Sequence, residues 1–270
     1  MLRSLLSFEI GFWLRRPMVY VFFLINLLLV FFALTSDQVT IGESYGSILK
    51  NAPYVIQNMY ANMSLIGLLI TTAFVQAATL RDFNHRTHEI IFSTPLKKFE
   101  YLTARFLGAY AASLIPLLAV SVAGILAQFA FWVDPSQLGS FHLGAHLWGI
   151  VMFALPNTLL MAAFIFGIAS LTRSTIASFV GAIFLLVIYS VAGTLASDLE
   201  NQTVASLTDP FAFNTFSIAT RYWTVTDKNT MALGPEGLFL ANRVIWSLVA
   251  VVILAVTFWR FSFTPRTKKL

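Results

Sequence analysis

Few residues in this chain have the type and spacing for chemistry. His85 and His88 stand at i, i+3 and could share a metal ion. Their neighbours are basic, and no third ligand stands out beside them. His142 and His146 share a helical face only if the helix following them begins early. No HExxH pair is present for a zinc hydrolase, no G-x-x-x-x-G-K-[ST] loop for cradling nucleotide phosphates, and no G-x-S-x-G elbow for a serine nucleophile. With Cys 0, thiolate chemistry and disulfides are excluded. We therefore expect a non-catalytic chain with no cofactor and no metal of its own.

One segment, 81–105, concentrates charge around an apolar knob. Arg81, Asp82, Arg86, Thr87, His88 and Glu89 precede Ile90, Ile91 and Phe92. Thr94 and Pro95 then break the helix, and Lys97 and Lys98 follow. Phe99, Leu102 and Phe106 recur at helical spacing, which predicts a second short amphipathic helix. A short helix with an apolar knob and a charged rim suits a docking surface. The same composition also suits a solvated connector, and the residues alone leave both readings open.

The elements that position this segment are set by hydropathy. Of the 270 residues 58% are apolar and 11% charged, where a soluble domain carries about 25% charge. Six stretches have the roughly 20 apolar residues that a spanning helix needs: 18–34, 59–80, 106–133, 147–171, 176–196 and 244–259. The fold class is therefore all-α, a polytopic membrane protein with six transmembrane helices, and the whole of 1–270 reads as one membrane domain. Residues 1–17 form an amphipathic helix suited to the membrane interface, with Arg15, Arg16 and Pro17 marking the turn into the bilayer. No cleavable signal peptide is expected.

Placing both termini on one side puts 13 of the 17 Lys and Arg residues there, Arg266, Lys268 and Lys269 among them. That side is cytoplasmic by the positive-inside rule. The basic charge reports topology and requires no nucleic-acid partner. On the opposite side lie the loop 35–58 and a longer one, 197–242, punctuated by Phe211, Phe213, Phe216, Tyr222 and Trp223. This loop is expected to be partly helical and packed against the outer leaflet or a partner protomer.

No span carries an ionisable residue near its middle, which weakens an ion-coupled carrier. Asn26, Thr72, Gln76, Gln128 and Asn157 are polar residues within or beside the spans, either joining helices or lining a path. Pro156 beside Asn157 predicts a kink with a carbonyl released nearby. Small-residue pairs at Gly108/Ala112, Ala163/Gly167 and Ala177/Gly181 permit close helix contacts.

This layout resembles the membrane permease subunit of type-2 ABC exporters. The likeness covers nearly the whole chain: an interfacial elbow helix, six spans, a cytoplasmic coupling loop between the second and third, and a large outer excursion between the last two. It is most specific in THEIIFSTPLKKFEYL from Thr87, followed by Arg105 and Phe106, which is similar to that family's Ser-Thr-Pro turn and x-Y-L-x-x-[KR]-F approach to the third span. DPF from Asp209, RYWT from Arg221, KNT from Lys228 and NRVIW from Asn242 look like bacterial permeases fused to a zinc aminopeptidase-like domain. The peptidase motif is missing, so no peptidase activity carries over.

The resemblance implies a permease subunit in the bacterial inner membrane. Its partners would be membrane lipids, a second protomer and a separate ATPase subunit that binds ATP and Mg. Residues 81–98 would be the lever between them. A membrane scaffold recruiting another protein, or a secondary carrier, are the alternatives.

Overall fold

The computed structural model describes residues 1–36, 38–39, 41 and 46–263. Arg266, Lys268, Lys269 and part of the loop 35–58 lie outside the described residues. All six expected spans are helices. The first helix, α1 (Leu2–Leu14), turns at Arg15 and Arg16 into α2 (Pro17–Thr35). Proline fits the first position of α2 because its missing N–H would find no partner there, and Arg16 before it is extended.

The central element is α3 (Pro53–Asn84), at 32 residues the longest helix. That corresponds to about 48 Å, well beyond the roughly 30 Å hydrocarbon core. A five-residue helix, α4 (His88–Phe92), leads to α5 (Lys98–Ala127). The fourth span runs as α6 (Leu143–Gly149), a π-helical turn (Ile150–Ala154) and α7 (Leu155–Thr172). Next comes α8 (Thr175–Ala196), capped by the Ser174 hydroxyl, which accepts from the Ala177 N–H. Three short helices, α9 (Gln202–Thr208), α10 (Phe213–Thr220) and α11 (Val225–Thr230), precede α12 (Gly237–Arg260).

The bundle is built around α3, which packs on α5 and α7; α2 covers α5, and α12 covers α7. The most hydrophobic window of α3 is 67% buried, against 33% for α2, 28% for α8 and 22% for α12. Those last three therefore turn most of their apolar surface outward, as helices bathed in lipid do. The glycines of the three small-residue pairs all lie at helix contacts. A Cβ on Gly108 would meet Glu9 of α1 at 2.6 Å, one on Gly167 would meet Thr257 of α12 at 2.8 Å, and one on Gly181 would clash with Ile168 of α7.

Three expectations are corrected. No separate amphipathic helix precedes the third span: Phe99, Leu102 and Phe106 belong to the first turns of α5, because nothing between Lys98 and Phe106 interrupts the hydrogen-bond ladder. The same helix stops at Ala127, and residues 128–133 form turns. The long outer excursion also folds inward: Phe211 and Phe216 are fully buried in the bundle, and Phe216 stacks on Tyr54 of α3 at 5.4 Å.

Candidate functional site

The charged segment after α3 is shaped by a left-handed turn. At the end of α3 the Thr87 N–H donates to the Asp82 carbonyl at 2.9 Å, and the Arg86 N–H donates to that of Phe83 at 3.2 Å. This pair of bonds is a Schellman closure with Arg86 in the left-handed region at φ 56. It reverses the chain and starts α4. At the other end of α4 the Ser93 hydroxyl donates to the Ile90 carbonyl and the Thr94 hydroxyl to that of Ile91, while Pro95 prevents continuation.

The knob expected from composition divides in two. Glu89 and Ile90 point away from the protein, and Ile90 is 70% exposed. Ile91 and Phe92 turn inward. The Phe92 ring lies 4.5 Å from that of Phe263 and 5.7 Å from that of Tyr101, so it anchors α4 to the bundle. His88 packs against Phe83 at 4.9 Å. Arg86, Thr87, Thr94, Pro95 and Lys97 are exposed around this small platform, whereas Lys98 reaches back and donates to the Phe261 carbonyl at 3.2 Å. Among the described residues no group of three or more His, Cys, Asp or Glu side chains is placed to hold a metal ion.

Beneath α4 lies a buried charge cluster. Glu9 Oε1 of α1 accepts from Arg81 at 2.6 Å and from Arg105 at 2.7 Å. Arg105 also pairs with Asp82, whose carboxylate accepts from the Tyr101 hydroxyl at 2.8 Å. The Arg81 guanidinium sits 4.1 Å over the Phe12 ring. Two carboxylates and two guanidiniums balance, which is what allows such groups to be buried at all. Burial is the largest influence on Glu9 and pushes its carboxyl up to about 7; Arg81 opposes that rise and Asp82 adds to it. Glu9 Oε2, which has no hydrogen-bond partner, can carry the proton. Asp82 is the hinge of the arrangement. Its carbonyl holds the start of α4, and its carboxylate holds α5.

The polar residues expected to join helices or line a path do not come together. Asn26 is buried and donates to the Pro116 carbonyl at 3.0 Å. Thr72 donates to the Leu68 carbonyl of its own helix, Gln76 to the Thr175 hydroxyl, and Gln128 to the Gly124 carbonyl. Asn157 belongs to a second buried hub near the opposite end. There Arg243 of α12 donates to Asn157 Oδ1 at 2.7 Å and to the Met152 carbonyl at 3.4 Å. Met152 stands four residues before Pro156, whose ring nitrogen cannot donate to it, and the helix passes through its π-helical turn just before this proline. Asn157 in turn donates to the Phe211 carbonyl, and Asn242 donates to those of Ser206 and Asp209. The Asp209 carboxylate accepts from the Phe211, Asn214 and Thr215 N–H groups; burial raises its carboxyl, and these bonds with Arg243 counter the rise. Glu9 was not singled out by motif, and Arg105, Asp209, Asn242 and Arg243 entered only inside motifs of the resemblance, with no role assigned to them. The available signal was Glu9, the lone acid of α1.

Six helices among the described residues are long and apolar enough to cross a membrane, which defines a multi-pass membrane protein. Residues 43–263 match the family described as ABC-2 family transporter protein, and the chain belongs to that family. No curated protein matches the chain significantly.

Proposed function

We propose that this chain is the permease subunit of an ATP-driven exporter and takes its power stroke through α4. The observation that carries this reading is the division of α4. Glu89 and Ile90 are presented outward, while Phe92 and the Asp82 carbonyl fix the helix to α3 and α5. A force applied at Ile90 reaches the spans through packed rings and charge pairs rather than through a slack loop. A separate ATPase subunit, holding ATP and Mg, would receive Ile90 in an apolar pocket and Glu89 beside a basic residue. Binding of ATP then drives the spans as rigid bodies, provided that the contact differs in energy between the two states.

In this reading two protomers face each other in the bacterial inner membrane with both termini and α4 in the cytoplasm, and the path opens between them. Gln76 and Gln128, partly exposed on the bundle surface, are candidates for that path. Asn26, Thr72 and Asn157 serve chiefly to hold one protomer together. The apolar outer surfaces suit an amphipathic or lipid-like cargo. The alternative is a membrane scaffold that recruits a partner such as a peptidase domain.

The test is the ATPase activity of the reconstituted complex. Ile90→Asp and Glu89→Arg should abolish most stimulation by the permease while its unfolding temperature stays unchanged, since both side chains are exposed. Unchanged stimulation in both variants would overturn the assignment, and recovery of the chain with other proteins but no ATPase would favour a scaffold.

A further inference from the structure

Where α1 turns into α2, the protein surface has a depression of about 430 Å³. Pro17, Tyr20, Val21 and Leu24 line it at i, i+3, i+4 and i+7, so its floor is a single stripe of α2. Arg15 completes the lining at the end where α2 begins. Tyr20, Val21 and Leu24 are each about half exposed. The Tyr20 hydroxyl donates to the Leu14 carbonyl at 2.7 Å, which ties the turn carrying Arg15 to the apolar stripe.

The charge at this turn is unbalanced. Among the described residues the Arg15 side chain makes no hydrogen bond and no ion pair. The neighbouring Arg16 is exposed and lies 4.3 Å over the Phe12 ring, with no carboxylate beside it. The lone acid of α1, Glu9, is buried and already accepts from Arg81 and Arg105. Pro17 opens the first span, so Arg15 stands at the level of lipid headgroups. The stripe from Pro17 to Leu24, about 10 Å long, then runs alongside the upper part of an acyl chain.

We propose that this turn binds an anionic phospholipid, with its phosphate on Arg15 and an acyl chain along Tyr20, Val21 and Leu24. Basic residues flanking a span attract anionic headgroups, and an interfacial tyrosine presents its ring at the same depth. A soluble anion would leave the apolar stripe uncovered. An apolar helix from a second protein would leave Arg15 without a counter-charge. A zwitterionic lipid brings a cation of its own toward Arg15 and Arg16.

The experiment counts lipids retained by the purified chain in native mass spectrometry after reconstitution in equimolar phosphatidylglycerol and phosphatidylcholine. The wild type should retain phosphatidylglycerol preferentially. Arg15→Gln should lower that preference about fivefold, the effect of one basic residue at an anionic surface. Arg3→Gln is the control. Arg3 is also exposed but lies about 18 Å away along α1, beyond the roughly 8 Å over which salt screens charge, and its loss should leave the preference unchanged. Val21→Trp, which fills the depression from an exposed position, should remove one phosphatidylglycerol per chain. If its unfolding temperature falls, Leu24→Trp on the same stripe replaces it. Equal retention of the two lipids by the wild type, or a preference that survives Arg15→Gln, overturns the proposal. So does an equal loss in Arg3→Gln, which would mean a diffuse surface charge, or a filled depression with an unchanged lipid count.

Discussion

Replacing Arg105 by methionine tests the charge cluster under α4. Arg105 bridges Glu9, at 2.7 Å, and Asp82 in a pocket where its side chain is 7% exposed. Methionine retains much of the volume but leaves two buried carboxylates facing Arg81 alone. Removing one partner of a buried ion pair costs about 3–5 kcal/mol, a fall of roughly 10 °C in unfolding temperature for a chain of this size. Glu9→Gln should cost much less, because the Glu9 carboxyl already titrates near 7 and an amide oxygen can still accept from both guanidiniums. The two variants also differ in pH response. Glu9 moves from 4.5 in the unfolded chain to about 7 in the folded one, so the native state holds the proton more tightly. Stability from this group is complete below pH 4.5 and is lost as pH rises through about 7, by at most about 3 kcal/mol. Thermal unfolding of the purified protein between pH 4.5 and 8 should therefore show a decline in the wild type that Glu9→Gln lacks. An identical slope in both, or a Glu9→Gln variant less stable than Arg105→Met, would refute this reasoning.

Other outcomes follow from local geometry and are read from the same unfolding measurement. Arg86→Gly should gain up to about 1 kcal/mol, because glycine adopts the left-handed φ of 56 without the strain of a side chain; a loss would mean that the Arg86 side chain contributes more than its backbone costs. Gly149→Ala should destabilise by about 1–3 kcal/mol, since a methyl there would clash with the fully buried Tyr60 ring, and no loss would mean that the two helices separate easily. Asn157→Ala leaves Arg243 without its 2.7 Å acceptor and should cost about 2–3 kcal/mol; a neutral result would show that the Met152 carbonyl and Asn242 suffice.

The spans were legible in the sequence because lipid imposes a length and an apolar composition on each helix. Their ends were not, since helical hydrogen bonding continues past the apolar run wherever no breaker intervenes, as at Lys98–Phe106. Arg86 and Pro95 show how a local signal partly succeeds. Pro95 announced the end of α4, but an arginine in a left-handed turn carries no such mark. The buried clusters were hidden for a different reason. Glu9 lies far from Asp82 and Arg105 in the chain, and those two were read only as part of the charged segment after the second span. Their pairing depends on α1 folding back against α5. Likewise Arg243 meets Asn157 because α12 packs on α7, and the outer excursion turns its aromatic residues into the bundle, where composition placed them against the outer leaflet or a partner protomer.

The proposed coupling makes Ile90 a cytoplasmic contact with an ATPase. Because the chain has Cys 0, a single Ile90→Cys variant gives an unambiguous probe. A membrane-impermeant maleimide should label it in inside-out vesicles but not in intact cells, and a thiol cross-linker should join it to an ATP-hydrolysing subunit. Labelling from the cell exterior, or cross-links that never include a nucleotide hydrolase, would contradict it.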